Sequence, residues 1–592
     1  MLARVARSAA ALVASLAPAY VPRKPTETVL HQLVRANLES FLAYARENYE
    51  GGLPRYVEQE FRAFIRCGDF SEGFSRLRCD ACGHDLLVAF SCHGRSICPS
   101  CCGRRMANVA AFLVDRVLPD VPLRQYVLSL PYELRRLAAF KADVLTALAS
   151  IFVEAVFANY RARAKRTGID DAQCGSVLAV QRFGSLNLNA HFHWLVLDGV
   201  LTRDEQRGVL FHPAPAPTLA DLNGIVERTR RRTTKWLGQH GCLDEAPLEE
   251  RSNELPAQTA LDACAAIAMH RGNVATLPRA DAPDAADEDH ERQPDKTEVA
   301  VEQDGFNLHA GVRIEVGDDM GRERLCRYAN RPPISLERLR RLPGGRIAYR
   351  LKYVSRGRGK HRVMSGIEFM ARLAAIIAPP RYPLLRYAGV LAPRSAWRRD
   401  VVPKPRERRD GSDAAWTAHC TRGEKSAKKV QRTAPQTRDV RDTPPPRPSS
   451  PREGGIPNAP TTPAATTATA GVVSIAAGAH TRPEPGDVIR LAPNVISVRH
   501  WDRLLGGLLY AVQPRVDWAT LLRRSFSVDV MECPKCHGRL RVVAVITERE
   551  PVRRILAHLG MPTDAPPVAR ARDPTDDAEE TGDGSQLSLG LG

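Results

Sequence analysis

Asn187-Leu-Asn-Ala-His191-Phe-His193-Trp-Leu-Val-Leu-Asp198 is the stretch on which the reading of this chain turns. Side chains alternate faces along an extended strand, so His191 and His193 leave one face, followed on it by Leu195 and Leu197. Phe192, Trp194 and Val196 point the other way. A strand apolar on both faces belongs in the middle of a sheet, where a polar pair needs partners. Two imidazoles on rigid backbone can serve as a metal platform. Taken alone, a satisfied pair of core histidines is the better account.

The surrounding 592 residues are enough for several domains, and a formal charge of +18 favours a polyanionic partner, nucleic acid first. An acidic membrane surface is the rival, but no apolar run approaches the length of a spanning helix, so no membrane association is expected. The first twenty residues, with Arg4, Arg7 and an Ala/Leu/Val run, have a faint signal-peptide look. The cysteines argue instead for a reducing compartment: of 14, seven fall between Cys67 and Cys102, and Cys533 and Cys536 form a close pair. Clustering of this kind in a large basic protein points to zinc rather than disulfides, and to an intracellular protein.

Hydrophobic periodicity divides the chain. Residues 1–60 read as an N-terminal helical segment, 61–112 as a cysteine-rich ribbon and 490–570 as a small C-terminal module. Between them, 113–395 read as one large domain. An amphipathic helix over 106–117 leads into it, followed by a strand at 125–131, a helix at 136–165 and strands at 176–183 and 191–201. An acidic insertion is expected at 281–304, then a strand at 312–316, a helix at 320–329, a strand at 346–354 and a helix at 366–377. Residues 396–489, basic and then Pro/Thr/Ala-rich, read as a disordered linker, and 571–592 as an acidic tail.

Cys79-Asp-Ala-Cys82 and Cys98-Pro-Ser-Cys101 are two C-x2-C knuckles fifteen residues apart, the spacing of a closed tetrahedral zinc site. Gly83 and Gly103 follow the knuckles and would supply their tight turns, and Leu86–Phe90 a short strand. Cys67, Cys92, His93 and Cys102 are spare ligands. Arg104 and Arg105 suit phosphate contacts, although an exposed solubilising pair explains them equally well. Cys533-Pro-Lys-Cys536-His537 is half a ribbon, a possible second zinc site that needs His537 or ligands from elsewhere.

Two chemistries for the histidine pair fail on its flanks. A metallo-β-lactamase-type site wants Asp two residues after the second His, and a histidine-triad hydrolase wants a third His there; the residue is Leu195. A bare His-hydrophobic-His strand matches the HUH nucleases, which cut single-stranded DNA. The wider pattern resembles the rolling-circle insertion-sequence transposases of the IS-ninety-one group and their common-region relatives. The resemblance is carried by the knuckles with Arg104-Arg105-Met106, by Val127-Leu-Ser-Leu-Pro131-Tyr, and by Gln181-Arg-Phe-Gly-Ser-Leu-Asn-Leu-Asn-Ala-His191-Phe-His193. Arg327-Tyr328-Ala-Asn-Arg331-Pro-Pro, Arg386-Tyr-Ala-Gly-Val-Leu-Ala-Pro393 and Cys533-Pro-Lys-Cys536 complete it.

That resemblance implies an α+β protein whose HUH endonuclease domain, a central antiparallel sheet with flanking helices, follows a zinc-ribbon domain. It implies a tyrosine nucleophile, and Tyr328 holds the matching place. Two-tyrosine members carry a second Tyr four residues earlier, where this chain has Arg324, so a single-tyrosine type is expected. His191 and His193 would hold a catalytic Mg²⁺ or Mn²⁺ beside the structural Zn²⁺. The third ligand stays open between His309, favoured as an imidazole, and Gln181, which needs less chain rearrangement. Arg327 and Arg331 are candidate DNA contacts. So are Tyr349 and Tyr353, alternating on a strand among Arg and Lys and suited to base stacking; simple sheet packing is the heavier alternative for both. The expected partners are single-stranded DNA at element ends and target DNA, in a bacterial-type cytoplasm near the nucleoid. A replication initiator or relaxase would share the chemistry. A zinc-dependent DNA-binding protein without catalysis is the contrasting class.

Overall fold

The computed structural model describes residues 24–242, 259–270, 272–275, 300–352, 359–403, 472–474, 487–491, 519, 521–522, 524 and 528–572. Tyr353, the N-terminal 23 residues, most of the acidic insertion, most of the linker and nearly all of the acidic tail lie outside them.

The histidine stretch folds as β5 (Leu188–Leu197), third in a six-stranded sheet. The order is β14 (Leu385–Gly389), β4 (Gly175–Phe183), β5, β3 (Leu123–Ser129), β10 (Phe306–Ile314) and β9 (Ala300–Gln303). Every neighbouring pair is antiparallel. The two faces of β5 meet two separate apolar cores, which is why the strand is apolar throughout. Phe192, Trp194 and Val196 join the first core, where α5 (Ala142–Arg166) brings Phe152 to 6.4 Å from the Trp194 ring. Leu195 and Leu197 join the second, built with α3 (Pro99–Arg116) and α8 (Asp319–Ala329) through Leu113 and Leu325.

Several boundaries differ from the sequence reading. The strand expected over 191–201 is two, because β5 stops at Asp198 and β6 (Gly199–Asp204) turns back against β7 (Gly208–Pro213). A Cβ at Gly199 would stand 2.2 Å from the His212 carbonyl oxygen, so only glycine fits that pivot. The helix expected over 136–165 is α4 (Tyr132–Phe140) and α5, interrupted where Lys141 is extended. By length and composition α5 could cross a membrane, contrary to the expectation of no such segment. Here Val144, Leu145, Leu148, Phe152 and Val156 of α5 are buried in the first core, so it is placed as a core helix. Residues 300–303, assigned to the acidic insertion, are edge strand β9, whose Val301 packs on the first core.

The N-terminal part begins with α1 (Val29–Asn48) and α2 (Arg55–Ile65), joined through Phe41 and Phe61. The ribbon hairpin follows as β1 (Phe74–Cys79) and β2 (Asp85–Ala89). Its third strand comes from the far end of the chain: β17 (Leu540–Ile546) pairs antiparallel with β1. The following α10 (Arg549–His558) packs Val552 and Leu556 on Phe74. The C-terminal module therefore completes the ribbon.

Around the main sheet lie α6 (Leu219–Gln239), α7 (Ala260–Met269) and α9 (Gly366–Ile376). A four-stranded sheet is ordered β11 (Leu339–Arg341), β12 (Ile347–Arg350), β13 (His361–Met364), β8 (Asn273–Ala275). Another joins β15 (Val472–Ser474) and β16 (Val488–Arg490) to β7 and β6.

Candidate active site and cysteine groups

The register sets what surrounds the histidines. Gln181 of β4 lies opposite His191, and Val127 of β3 opposite His193. The two imidazole centroids are 4.9 Å apart. His191 Nδ1 donates to the Asn189 carbonyl at 2.8 Å, which leaves its Nε2 with a lone pair. His193 Nδ1 lies 3.0 Å from the Gln125 carboxamide, and its Nε2 is buried without a hydrogen-bond partner. Burial holds His191 down to about 4, with further lowering from Arg331 and Arg135. Burial, then His191 and Arg331, hold His193 well below the usual histidine range. Both rings are neutral at pH 7, the form that binds metal.

Tyr328 comes from the last turn of α8, which starts where Asp318 accepts from the Gly321 N–H and ends three residues before Pro332. Its ring meets His193 edge to face at 5.5 Å and 84°, yet the residue is 42% exposed, so a substrate can reach it. Gln181 ties the helix end to the sheet: its Nε2 donates to the Tyr328 and Ala329 carbonyls at 3.1 and 2.9 Å. These are carbonyls that a helix terminus leaves without intrahelical partners. The Arg331 guanidinium lies 5.4 Å from the Tyr328 ring and the Lys352 ammonium 6.0 Å. The Tyr328 ring thus lies against the neutral His193 imidazole with two cations near it.

The two candidates for a third ligand fare differently. His309 aligns with Val127, which aligns with His193, so it sits two strand spacings away, roughly 9.5 Å along the sheet. Among the described residues no His, Cys, Asp or Glu completes a three-ligand group with His191 and His193. The structure sets His309 one strand further from the histidines, because the antiparallel order interposes β3. Gln181 is adjacent, and its Oε1, with Arg331 Nε at 3.4 Å, is an oxygen donor on the histidine face. Asp198 serves structure instead: its buried carboxylate accepts from Arg124 at 3.0 and 2.9 Å, Tyr160 at 2.6 Å and Arg313 at 2.7 Å.

The expected zinc quartet of Cys79, Cys82, Cys98 and Cys101 is not assembled. The eight nearby sulfurs form two groups, Cys67 with Cys92, Cys98 and Cys101, and Cys79 with Cys82, Cys533 and Cys536. The reason is that the two knuckles belong to different cores. Cys98 caps α3, with Pro99 at its first position, and packs with Cys67 and Ile97 in the main core. Cys79 sits at the hairpin tip in a small cluster with Leu77, Cys533 and Leu540. Gly103 is inside α3 and makes no turn, whereas Gly83 has φ +71° as a knuckle turn requires. In the first group Cys67 Sγ lies 3.8 Å from Cys101 and 3.6 Å from Cys98, and Cys92 lies 3.5 Å from Cys101. Backbone N–H groups of the turn, Cys82 foremost, bring the Cys79 thiol down to about 7, despite its burial. Burial pushes Cys102 up to about 12, as befits a thiol outside either group.

Of the DNA-contact candidates, Arg104 is exposed and Arg105 half-buried on α3, and Arg327 and Arg331 are half-buried around Tyr328. Tyr349 is 2% exposed with its hydroxyl accepting from the Ser335 N–H, so its ring is a packing element and unavailable for stacking. Sequence reasoning missed Gln125 and Lys352. The first had a signal: Gln125, Val127 and Ser129 alternate on one face of a buried strand, where a lone carboxamide needs a partner.

Residues 36–130 match the family model of the transposase zinc-binding domain, and residues 175–399 match that of a transposase domain. The two matches define a transposase. The chain belongs with the IS-ninety-one-type transposases, whose zinc-binding domain stands before the transposase domain. Compared with curated proteins and with solved structures, it finds no match.

Proposed function

We propose that this transposase nicks and rejoins single-stranded DNA at the ends of its mobile element, with Tyr328 as nucleophile. The observation that carries this is the edge-to-face approach of Tyr328 to His193 at 5.5 Å, on the face shared with His191. The Tyr328 oxygen attacks the scissile phosphorus in line, the phosphorus–O3′ bond breaks, and a 5′-phosphotyrosine and a free 3′-hydroxyl result. Because one ester replaces another, a 3′-hydroxyl can reverse the step and join strands without ATP. Arg331 and Lys352 supply positive charge for the phosphate, and Gln181 holds the helix end so that the ring stays over the sheet.

The orphaned, buried Nε2 of His193 and the free Nε2 of His191 fit a divalent ion, with Gln181 Oε1 as the third donor. When bound, Mg²⁺ or Mn²⁺ would polarise the phosphate as a Lewis acid. The partners are then element-end single strands and target DNA, met in the cytoplasm.

Purified protein incubated with an element-end single strand and Mg²⁺ or Mn²⁺ should form a covalent protein–DNA adduct, and Tyr328→Phe should form none. Adduct in Tyr328→Phe at the wild-type level would refute the nucleophile. No adduct under either ion would leave a DNA-binding protein without catalysis.

A further inference from the structure

The group at the hairpin tip joins residues 457 and 451 positions apart, and neither family match reaches residues 533–536. Cys79 Sγ lies 3.5 Å from Cys536 Sγ, and Cys82 Sγ 3.6 Å from Cys533 Sγ. Four thiolates on one zinc ion at about 2.3 Å stand about 3.8 Å apart, whereas a disulfide needs about 2.05 Å. The sulfurs have the spacing of a shared ion.

The two knuckles are also built alike. Gly83 N–H donates to the Cys79 carbonyl at 3.0 Å, and Cys79 N–H to the His84 carbonyl at 2.8 Å. At the other end of the chain His537 N–H donates to Cys533 at 2.9 Å, and Cys533 N–H to Gly538 at 2.8 Å. The residue after each second cysteine is left-handed: Gly83 at φ +71° and His537 at φ +58°. His537 thereby serves the turn, with Nδ1 on Glu532 at 2.6 Å, and leaves ligation to sulfur. The knuckles are joined by the Asp80 N–H donating to the Arg539 carbonyl at 3.3 Å. A Cβ at Gly538 would stand 3.0 Å from Ala81 Cβ and 3.2 Å from both Cys536 and Cys79 sulfurs, so the close approach is shaped for the sulfurs.

We propose that Cys79, Cys82, Cys533 and Cys536 hold one structural zinc ion that fastens the C-terminal strand to the N-terminal ribbon. It is distinct from the ion that Cys67, Cys92, Cys98 and Cys101 would hold. Zinc suits it because a closed set of four thiolates favours a tetrahedral, redox-inert ion. A second clasp lies just upstream: the Arg524 guanidinium, 5% exposed, reaches Asp115 of α3 at 2.9 Å and Glu323 of α8 at 3.1 Å. The C-terminal segment thus grips the ribbon, the helix of the other cysteine group and the helix of Tyr328.

Metal analysis of the full-length protein tests this. Two zinc ions per chain are expected. Cys79→Ser with Cys82→Ser should lose one, Cys533→Ser with Cys536→Ser should lose one, and the quadruple variant should still lose only one. A quadruple variant that loses two ions, or none, overturns the shared site, and iron in place of zinc overturns the choice of metal. Because substitution can disturb folding, wild-type protein gives an independent reading. Cys82 and Cys536 are exposed, so as free thiols they would alkylate readily. Protection of both in the zinc-loaded protein, lost on chelation, is expected; equal alkylation before and after chelation refutes the site.

Discussion

Which nitrogen of His193 carries the proton decides whether the ring can hold a metal, and Gln125 controls that choice. The Gln125 carboxamide lies 3.0 Å from Nδ1, and with its N–H turned to that nitrogen the ring proton would sit on Nε2. Turned by half a rotation, the amide oxygen accepts from Nδ1–H and frees the Nε2 lone pair. Gln125→Leu should therefore weaken Mn²⁺ binding by about 10–100-fold, the usual cost of losing such a support. Calorimetric titration with unchanged affinity would show that Gln125 is only packing. His191 gives a second residue-scale prediction. Its folded-state pKa of about 4 lies below the ordinary 6.5, so its stabilising share is present above 6.5 and lost as pH falls toward 4. That loss is about 3 kcal/mol for the metal-free protein. Urea melts at pH 7 and 4.5 should show a smaller loss for His191→Gln; equal losses would place the acid sensitivity elsewhere.

At the scale of elements, the sheet is pinned where β5 ends. Asp198 draws Arg124 of β3, Arg313 of β10 and Tyr160 of α5 onto one buried carboxylate. Leaving such cations buried without their partner costs about 3–5 kcal/mol, and Asp198→Ala should lower the denaturant midpoint accordingly. A midpoint within 0.5 kcal/mol-equivalent of wild type, roughly the scatter of surface changes, would contradict the role. The strands, the helix of Tyr328 and the histidine row were legible in the sequence because their periodicity is local. The end of β5 at Asp198 was not, since a buried aspartate inside an apolar run reveals itself only through arginines from other strands. Nor was the neighbourhood of the histidines: strand order, a long-range property, put Gln181 next to His191 and β3 between His193 and His309. The cysteines divide the same way. Their residue types and knuckle spacing announced zinc, while their partnering depended on which core each knuckle joined.

For the whole molecule, the formal charge of +18 predicts DNA affinity that falls steeply with salt through release of counterions. Part of that charge lies in the basic run between 400 and 440, which beyond residue 403 is outside the described residues. Its deletion should make the slope of log affinity against log salt shallower in single-strand binding titrations. An unchanged slope would make the run a spacer.

The strand that β17 adds to the ribbon also has a schedule. Cys82 leaves the ribosome 451 residues before Cys533, an interval of roughly 20–90 s at ordinary elongation rates. For that time the hairpin tip carries two thiolates with no second pair, open to oxidation or to a foreign ion. A copy of the gene truncated anywhere before codon 533 would leave them so permanently, even with every residue around Tyr328 intact.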